Sequence, residues 1–168
     1  WTDRGSPLIY HGESVIEKLQ AQLGDDYGVH LAMRYQNPSM EEVMGEMRLK
    51  NYKKLIIIPL FPHYASASSG SAMEKALKII SKWWVIPEIA MVSQFWDDEG
   101  FINSFVARAN QYNLDDYDHV LFSYHGLPER HVDKVYDDGF PCADYNCENE
   151  VTEDNKYCYK ATCYGTTR

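Results

Sequence analysis

The sequence predicts an α/β protein with a doubly wound, mainly parallel sheet of Rossmann-like form, and three observations carry that prediction. Segments of helical period alternate with short apolar runs along the chain, as in βαβ units whose crossovers lay helices on both faces of a sheet. The most apolar run, Leu55-Ile56-Ile57-Ile58-Pro59-Leu60, is too short for a lone helix and rich in β-branched residues, as a strand buried on both faces is. Ser39-x-x-Glu42 and Ser71-x-x-Glu74 have the form of capping boxes and open helices where the period changes.

Taken in order, Ser6-Pro7 starts a helix, a capping hydroxyl before a proline at the first helical position, and Val15, Ile16, Leu19 and Leu23 carry the spacing to Gly24. Val29 to Tyr35 reads as a strand closed by Asn37-Pro38, and the Ser39 box opens a helix with Val43, Met47 and Met44 inward. Leu55 to Leu60 is the expected central strand. A helix with Met73, Ala76, Leu77 and Ile80 inward follows the Ser71 box. Glu88 to Phe95 is the next strand, Phe101 to Tyr112 the next helix, and His119 to Ser123 the last strand, about four strands in all. Residues 1–139 form the expected α/β domain, and 140–168 a cysteine-rich segment with the start of a further helix.

Composition narrows the function. At 168 residues and 45% hydrophobic content the chain suits one domain with a sizeable core. A formal charge of -9 disfavours nucleic-acid phosphates and anionic membranes as partners. No run approaches the ~20 apolar residues of a membrane span and no secretory signal opens the chain, so a cytoplasmic location is expected, although a chain beginning at Trp1 has lost its natural start. No Gly-x-Gly-x-x-Gly follows any expected strand, which disfavours a nucleotide cofactor.

Chemistry is expected where Val120 to Ser123 ends in His125 and a Gly-Leu-Pro turn. Ligands of such sheets collect beyond the carboxyl ends of the strands, and imidazole both moves protons near neutral pH and ligates metals. The small, polar loop Pro62 to Gly70 lies at an equivalent end and is a second ligand candidate. The four cysteines form two pairs, Cys142-x4-Cys147 and Cys158-x4-Cys163, around an insert too polar to bury a core. Disulfides, structural zinc and an iron-sulfur cluster each fit that pattern. A cytoplasmic chain disfavours the first, and spacing alone sets zinc slightly ahead of the cluster.

Ser123-Tyr124-His125-Gly126-Leu127-Pro128 after two apolar residues resembles the signature of ferrochelatases, which insert ferrous iron into protoporphyrin IX. Further matches occur in the family's order: the opening Trp-Thr-Asp-Arg-Gly-Ser-Pro-Leu, Met33-Arg34-Tyr35 with Pro38-Ser39, Ile58 to Tyr64, and Phe95-Trp96-Asp97. The resemblance covers essentially this whole chain but only the middle of a ferrochelatase. It implies a class II chelatase-like half with a Rossmann-like fold, part of a lyase of heme (porphyrin) biosynthesis. Its implied partners are protoporphyrin IX, Fe2+ as substrate, and a missing C-terminal half whose glutamate faces the histidine.

On that resemblance His125 is the catalytic residue and a ligand of the incoming iron. Ser6, Arg34, Tyr35, His63, Ser66, Trp96 and Ser123 are the expected substrate-binding residues, with Arg34 toward a propionate and Trp96 against the ring. Family members that hold a [2Fe-2S] cluster in an internal segment make Cys142, Cys147, Cys158 and Cys163 its expected ligands, ahead of zinc, and loss of any one is expected to unfold the segment from about Phe140 to Cys163. Two rivals share the features: a chelatase placing cobalt or iron in a corrin-type precursor, and a non-catalytic metal- or tetrapyrrole-binding module. Ser-Tyr-His-Gly-Leu-Pro and Gly-Ser-Pro-Leu favour the heme enzyme over the first, and activity with the missing half separates it from the second.

Overall fold

The computed structural model describes residues 5–135 and 146–168. Two compact units are formed, one from the residues up to Lys54 with Lys75–Glu88, the other from Leu55–Glu74 with Ile89 onward. The expected boundary at 139/140 lies outside the described residues, as does Cys142.

In the first unit, helix α1 runs Pro7–Leu23, the predicted span. Its start is set by Pro7 alone. Ser6 is extended but makes no side-chain capping bond, contrary to expectation. Val15, Leu19 and Leu23 remain exposed, whereas Ile16 of the same stripe is half-buried. Gly12 is the buried position, with the side chain of Leu31 lying against it. Helix α2, Met40–Leu49, is capped as predicted. The Ser39 hydroxyl accepts from the Glu42 amide at 3.2 Å, and the Glu42 carboxylate accepts from the Ser39 amide at 3.2 Å. Met40, Val43 and Met44 are its buried residues, and Met47 is half-buried.

The predicted strand Val29–Tyr35 is reduced to one parallel bridge, Met33 to Ser39, with the Met33 amide donating to Pro38 O at 2.7 Å. A strand exists only through its ladder, and among the described residues this segment makes no further strand pairing.

Two strands pair: β1, Lys54–Ile57, and β2, Glu88–Met91. The Glu88 amide donates to Lys53 O and the Val92 amide to Ile57 O, at 3.1 and 3.0 Å. Both chains advance together between these bonds, so the pair is parallel and the α/β class holds. The central, fully buried strand does not. Leu55 and Pro59 point inward while Ile56, Ile58 and Leu60 are exposed, the alternation of a sheet covered on one face.

Between them lies helix α3, Ser71–Ile80, with Ala76 and Ile80 buried but Leu77 exposed. It does not begin at a cap. A π turn over Ser66–Gly70, closed by the Gly70 amide on Ala65 O at 3.0 Å, runs into it, and Ser71 already has helical angles (φ -63°, ψ -38°). Ser71 therefore cannot serve as an N-cap, which requires extended backbone. The Tyr64 hydroxyl lies 2.9 Å from where a Cβ on Gly70 would stand, so a side chain there would collide with it.

Helix α4, Glu99–Ala109, begins two residues ahead of the predicted Phe101, because Asp98 caps it by accepting from the Phe101 amide at 2.9 Å. The last predicted strand, His119–Ser123, is absent: these residues have no ladder, and Val120, Leu121 (89% exposed) and Phe122 face solvent. A short helix α5, Glu129–Asp133, and helix α6, Tyr159–Thr167, complete the second unit.

Candidate functional site around His125

Helix α6 organises the site. Cys158 precedes it in extended conformation, and the Thr162 hydroxyl turns back onto the Cys158 and Tyr159 carbonyls. At its far end Thr166 Oγ1 donates to Trp96 O at 3.0 Å and meets His63 Nε2 at 2.8 Å. Thr167 Oγ1 donates to Cys163 O at 3.0 Å and meets the Tyr124 hydroxyl at 2.8 Å. Gly165, just before them, must lack a side chain: a Cβ there would lie 2.5 Å from Cζ3 of Trp96, whose ring rests on the helix backbone. Near the start of α6, the Tyr159 side chain lies beside the Cys163 thiol and the His125 backbone. Three loops are thus tied to one helix, and His125 is exposed at the end of one of them.

His63 is only 8% exposed. Edge-on contacts from Phe101, Tyr124 and Tyr159, with ring centroids 6.4, 5.4 and 5.8 Å away, enclose it. Burial holds its pKa below 6.5. The same direction applies to His30 in the first unit, through burial first and then Lys50. The unfolded chain therefore binds protons at a pH where the folded chain does not. Stability is expected to be complete above pH 6.5 and to be lost as pH falls through the folded values. Thermal midpoints across that range should fall less steeply for His63→Gln than for the wild type; an unchanged slope would remove His63 from the linkage.

The other predicted site residues are distributed as follows. Ser66 is exposed and opens the π turn; in the same turn Ser69 is fully buried, and its hydroxyl has no hydrogen-bond partner among the described residues, although sequence reasoning singled out only Ser66. Trp96 is half-buried on Gly165, and Ser123 is exposed. Ser6, Arg34 and Tyr35 belong to the first unit, where the Arg34 guanidinium stacks 4.5 Å above the Tyr35 ring. Tyr124, Tyr159, Thr166 and Thr167 were not singled out. Tyr124 stood beside His125 in the motif, while Tyr159, Thr166 and Thr167 lie within or just after the second cysteine pair and carry no signal beyond that position.

The cysteine segment is better ordered by its own chain than its polarity implies. Cys147, Cys158 and Ala161 form a small core against Val132 and Val151. Asn155, 1% exposed, accepts from the Thr152 amide at 2.7 Å and donates to Glu150 O at 3.2 Å, with the Cys147 sulfur at 4.0 Å. Gln94 Nε2 donates to Lys156 O at 2.9 Å, and Arg168 Nη1 to Glu148 O at 2.6 Å, tying the segment to its surroundings. This corrects the expectation that hydrophobic contact has no part in folding it. Cys163 is buried, and its thiol pKa is pushed up to about 11, chiefly by that burial. Burial likewise pushes the Tyr159 phenol up to about 12, with Cys163 contributing.

Cys147, Cys158 and Cys163 are all buried within one short segment, and thiolate, the form in which cysteine ligates metals, is favoured by nearby positive charge. Among the described residues, however, no three His, Cys, Asp or Glu side chains converge to hold a metal ion. The donor chemistry fits, and the fourth expected ligand, Cys142, lies outside the described residues. No helix among the described residues is long and apolar enough to cross a membrane.

A family model described as ferrochelatase matches residues 2–168. The chain is 40% identical over 170 residues to a ferrochelatase of Legionella pneumophila (strain Paris), covering 99% of this chain and 49% of the relative. It is 34% identical to one of Coxiella burnetii (strain Dugway 5J108-111), covering 100% and 47%, and 36% identical to one of Opitutus terrae, covering 100% and 49%. The chain spans about half the length of the curated relatives it matches.

Proposed function

Since the chain belongs to the ferrochelatase family, we propose that it supplies the His125 side of an active site that inserts ferrous iron into protoporphyrin IX. The single observation that carries the reading is the family match over residues 2–168. Insertion exchanges two pyrrole N–H protons for one Fe2+ ion, so the protein must accept two protons while the metal sheds its water ligands. An exposed imidazole at the end of an anchored segment suits that work. His125 accepts a pyrrole proton at one ring nitrogen, or holds the iron through the same lone pair before transfer.

The remaining roles are proposed residue by residue. Arg34 pairs with a propionate and Tyr35 covers the macrocycle edge. Ser6, Ser66 and Ser123 offer hydroxyls to polar groups of the substrate, and Trp96 offers a ring face. His63 is buried, so we assign it to holding the substrate loop from beneath. The family's second half completes the cleft.

Cys142, Cys147, Cys158 and Cys163 are the proposed ligands of a [2Fe-2S] cluster, which when bound supplies positive charge and cross-linking to the segment before α6. Iron insertion changes no redox state, so no step of the reaction is assigned to it. A cytoplasmic setting goes with this reading, because ferrous iron and thiolate ligands both require a reducing compartment.

The test uses the full-length protein, purified without added metal. Loss of the protoporphyrin spectrum on adding Fe2+ is the expected result, and its absence with an active control enzyme rejects the reading. The spectrum of the fresh protein, with iron and sulfide analysis, should show cluster bands; zinc alone rejects the cluster and keeps the metal site.

A further inference from the structure

We infer that Thr166 and Thr167 are positioning residues: the end of α6 fixes His63 as its Nε2–H tautomer and Tyr124 as a hydrogen-bond donor, and so holds the segment that carries His125. The inference rests on the proposed role of His125, but its first test does not.

The argument is a count of protons. A threonine hydroxyl has one proton and a carbonyl oxygen has none. At Thr166 that proton is directed at Trp96 O, 3.0 Å away. The 2.8 Å contact with His63 Nε2 must therefore take its proton from the imidazole. A neutral imidazole carries a single N–H, so Nδ1 keeps a lone pair. At Thr167 the hydroxyl proton is directed at Cys163 O, 3.0 Å away, and the 2.8 Å contact with Tyr124 takes its proton from the phenol. Two parallel chains result, His63 to Thr166 to Trp96 and Tyr124 to Thr167 to Cys163, each ending on a backbone carbonyl.

The two chains are mechanically joined. Thr166 and Thr167 are consecutive, His63 and Tyr124 touch edge to face at 5.4 Å, and Tyr159, at the start of the same helix, meets the His63 ring edge to face at 5.8 Å. A residue next to Tyr124 inherits the constraint, because one peptide unit separates His125 from a side chain pinned at both ring face and hydroxyl. His125 itself is exposed, so its orientation depends on these neighbours rather than on its own packing.

The test begins on the 15N-labelled 168-residue chain, by long-range proton–nitrogen correlation spectra of the histidine rings at pH 7.5. His63 should show the pattern of an Nε2–H tautomer. Thr166→Val should shift it toward Nδ1–H or a mixture, and Thr166→Ser should restore it. An Nδ1–H pattern in the wild type overturns the inference whether or not the protein inserts iron. The second stage uses full-length protein. Thr166→Val and Thr167→Val are expected to lower kcat roughly tenfold or more with little change in KM for porphyrin, and the serine variants to recover it. If the tautomer is as inferred but kcat is unmoved in both valine variants, the positioning role is overturned. If the valine variants fail to fold, the wild-type tautomer and the serine variants still decide.

Discussion

Replacing His125 by alanine in the full-length protein is expected to lower iron insertion by about 10²- to 10⁴-fold, the range over which a positioned acid or base acts, and to leave the melting temperature unchanged. The two halves of this expectation come from separate observations. The catalytic half rests on the family motif, in which the only proton-active side chain between Ser123 and Pro128, apart from a phenol already committed to Thr167, is His125. The stability half rests on exposure: His125 lies at the surface, so truncation opens no cavity, and substitutions at such sites stay within about 0.5 kcal/mol. The measurements are initial rates of porphyrin metallation and a thermal melt on the same preparation. Wild-type rates in the variant would remove His125 from the reaction. A loss of rate accompanied by a large loss of melting temperature would mean that the imidazole holds the fold instead.

What could be read beforehand divides by the range of the physics. Helix α1 was legible to the residue because its signals, Ser6-Pro7 at one end and Gly24 at the other, are local, although the hydroxyl thought to cap it does not. The Ser39 box formed as written, since both of its bonds close within one turn. The Ser71 box failed because the preceding serines wind into a π turn and deny it an extended cap, a competition that no motif displays. Strands need partners far away in sequence. Thus Leu55 and Glu88 found each other, while Val29 to Tyr35 and His119 to Ser123 stayed unpaired or nearly so. In the site, His125 was visible as a motif residue. Thr166 and Thr167 were not, because their importance lies in which atom holds a proton. Asn155 was hidden for a related reason: asparagine marks turns in general, and nothing local reveals one whose amide closes a buried turn.

Asn155→Ala is expected to destabilise the second unit strongly, by about 2 to 6 kcal/mol, from two backbone groups left unpaired at ~1 to 3 kcal/mol each. The carboxamide is 1% exposed and serves three partners. A methyl group deprives the Thr152 amide of its acceptor and Glu150 O of its donor, in a segment whose apolar core is small. Asn155→Asp keeps the acceptor for Thr152 but loses the donor and sets a charge beside Cys147, so it should fall between wild type and alanine. Urea unfolding gives the energies, and hydrogen exchange at the Thr152 amide locates them. An alanine variant within 0.5 kcal/mol of wild type, with Thr152 still protected, would show that other contacts hold the turn. The same variants bear on the cysteines. A metal bound by the folded segment and not by the unfolded chain adds its binding energy to stability. If the four cysteines hold one, metal-loaded Asn155→Ala should stay folded at urea concentrations that unfold the chelator-treated variant. Identical curves for the two forms would mean that the turn around Asn155, rather than a metal, orders the approach to α6 and with it the helix that holds His125 in place.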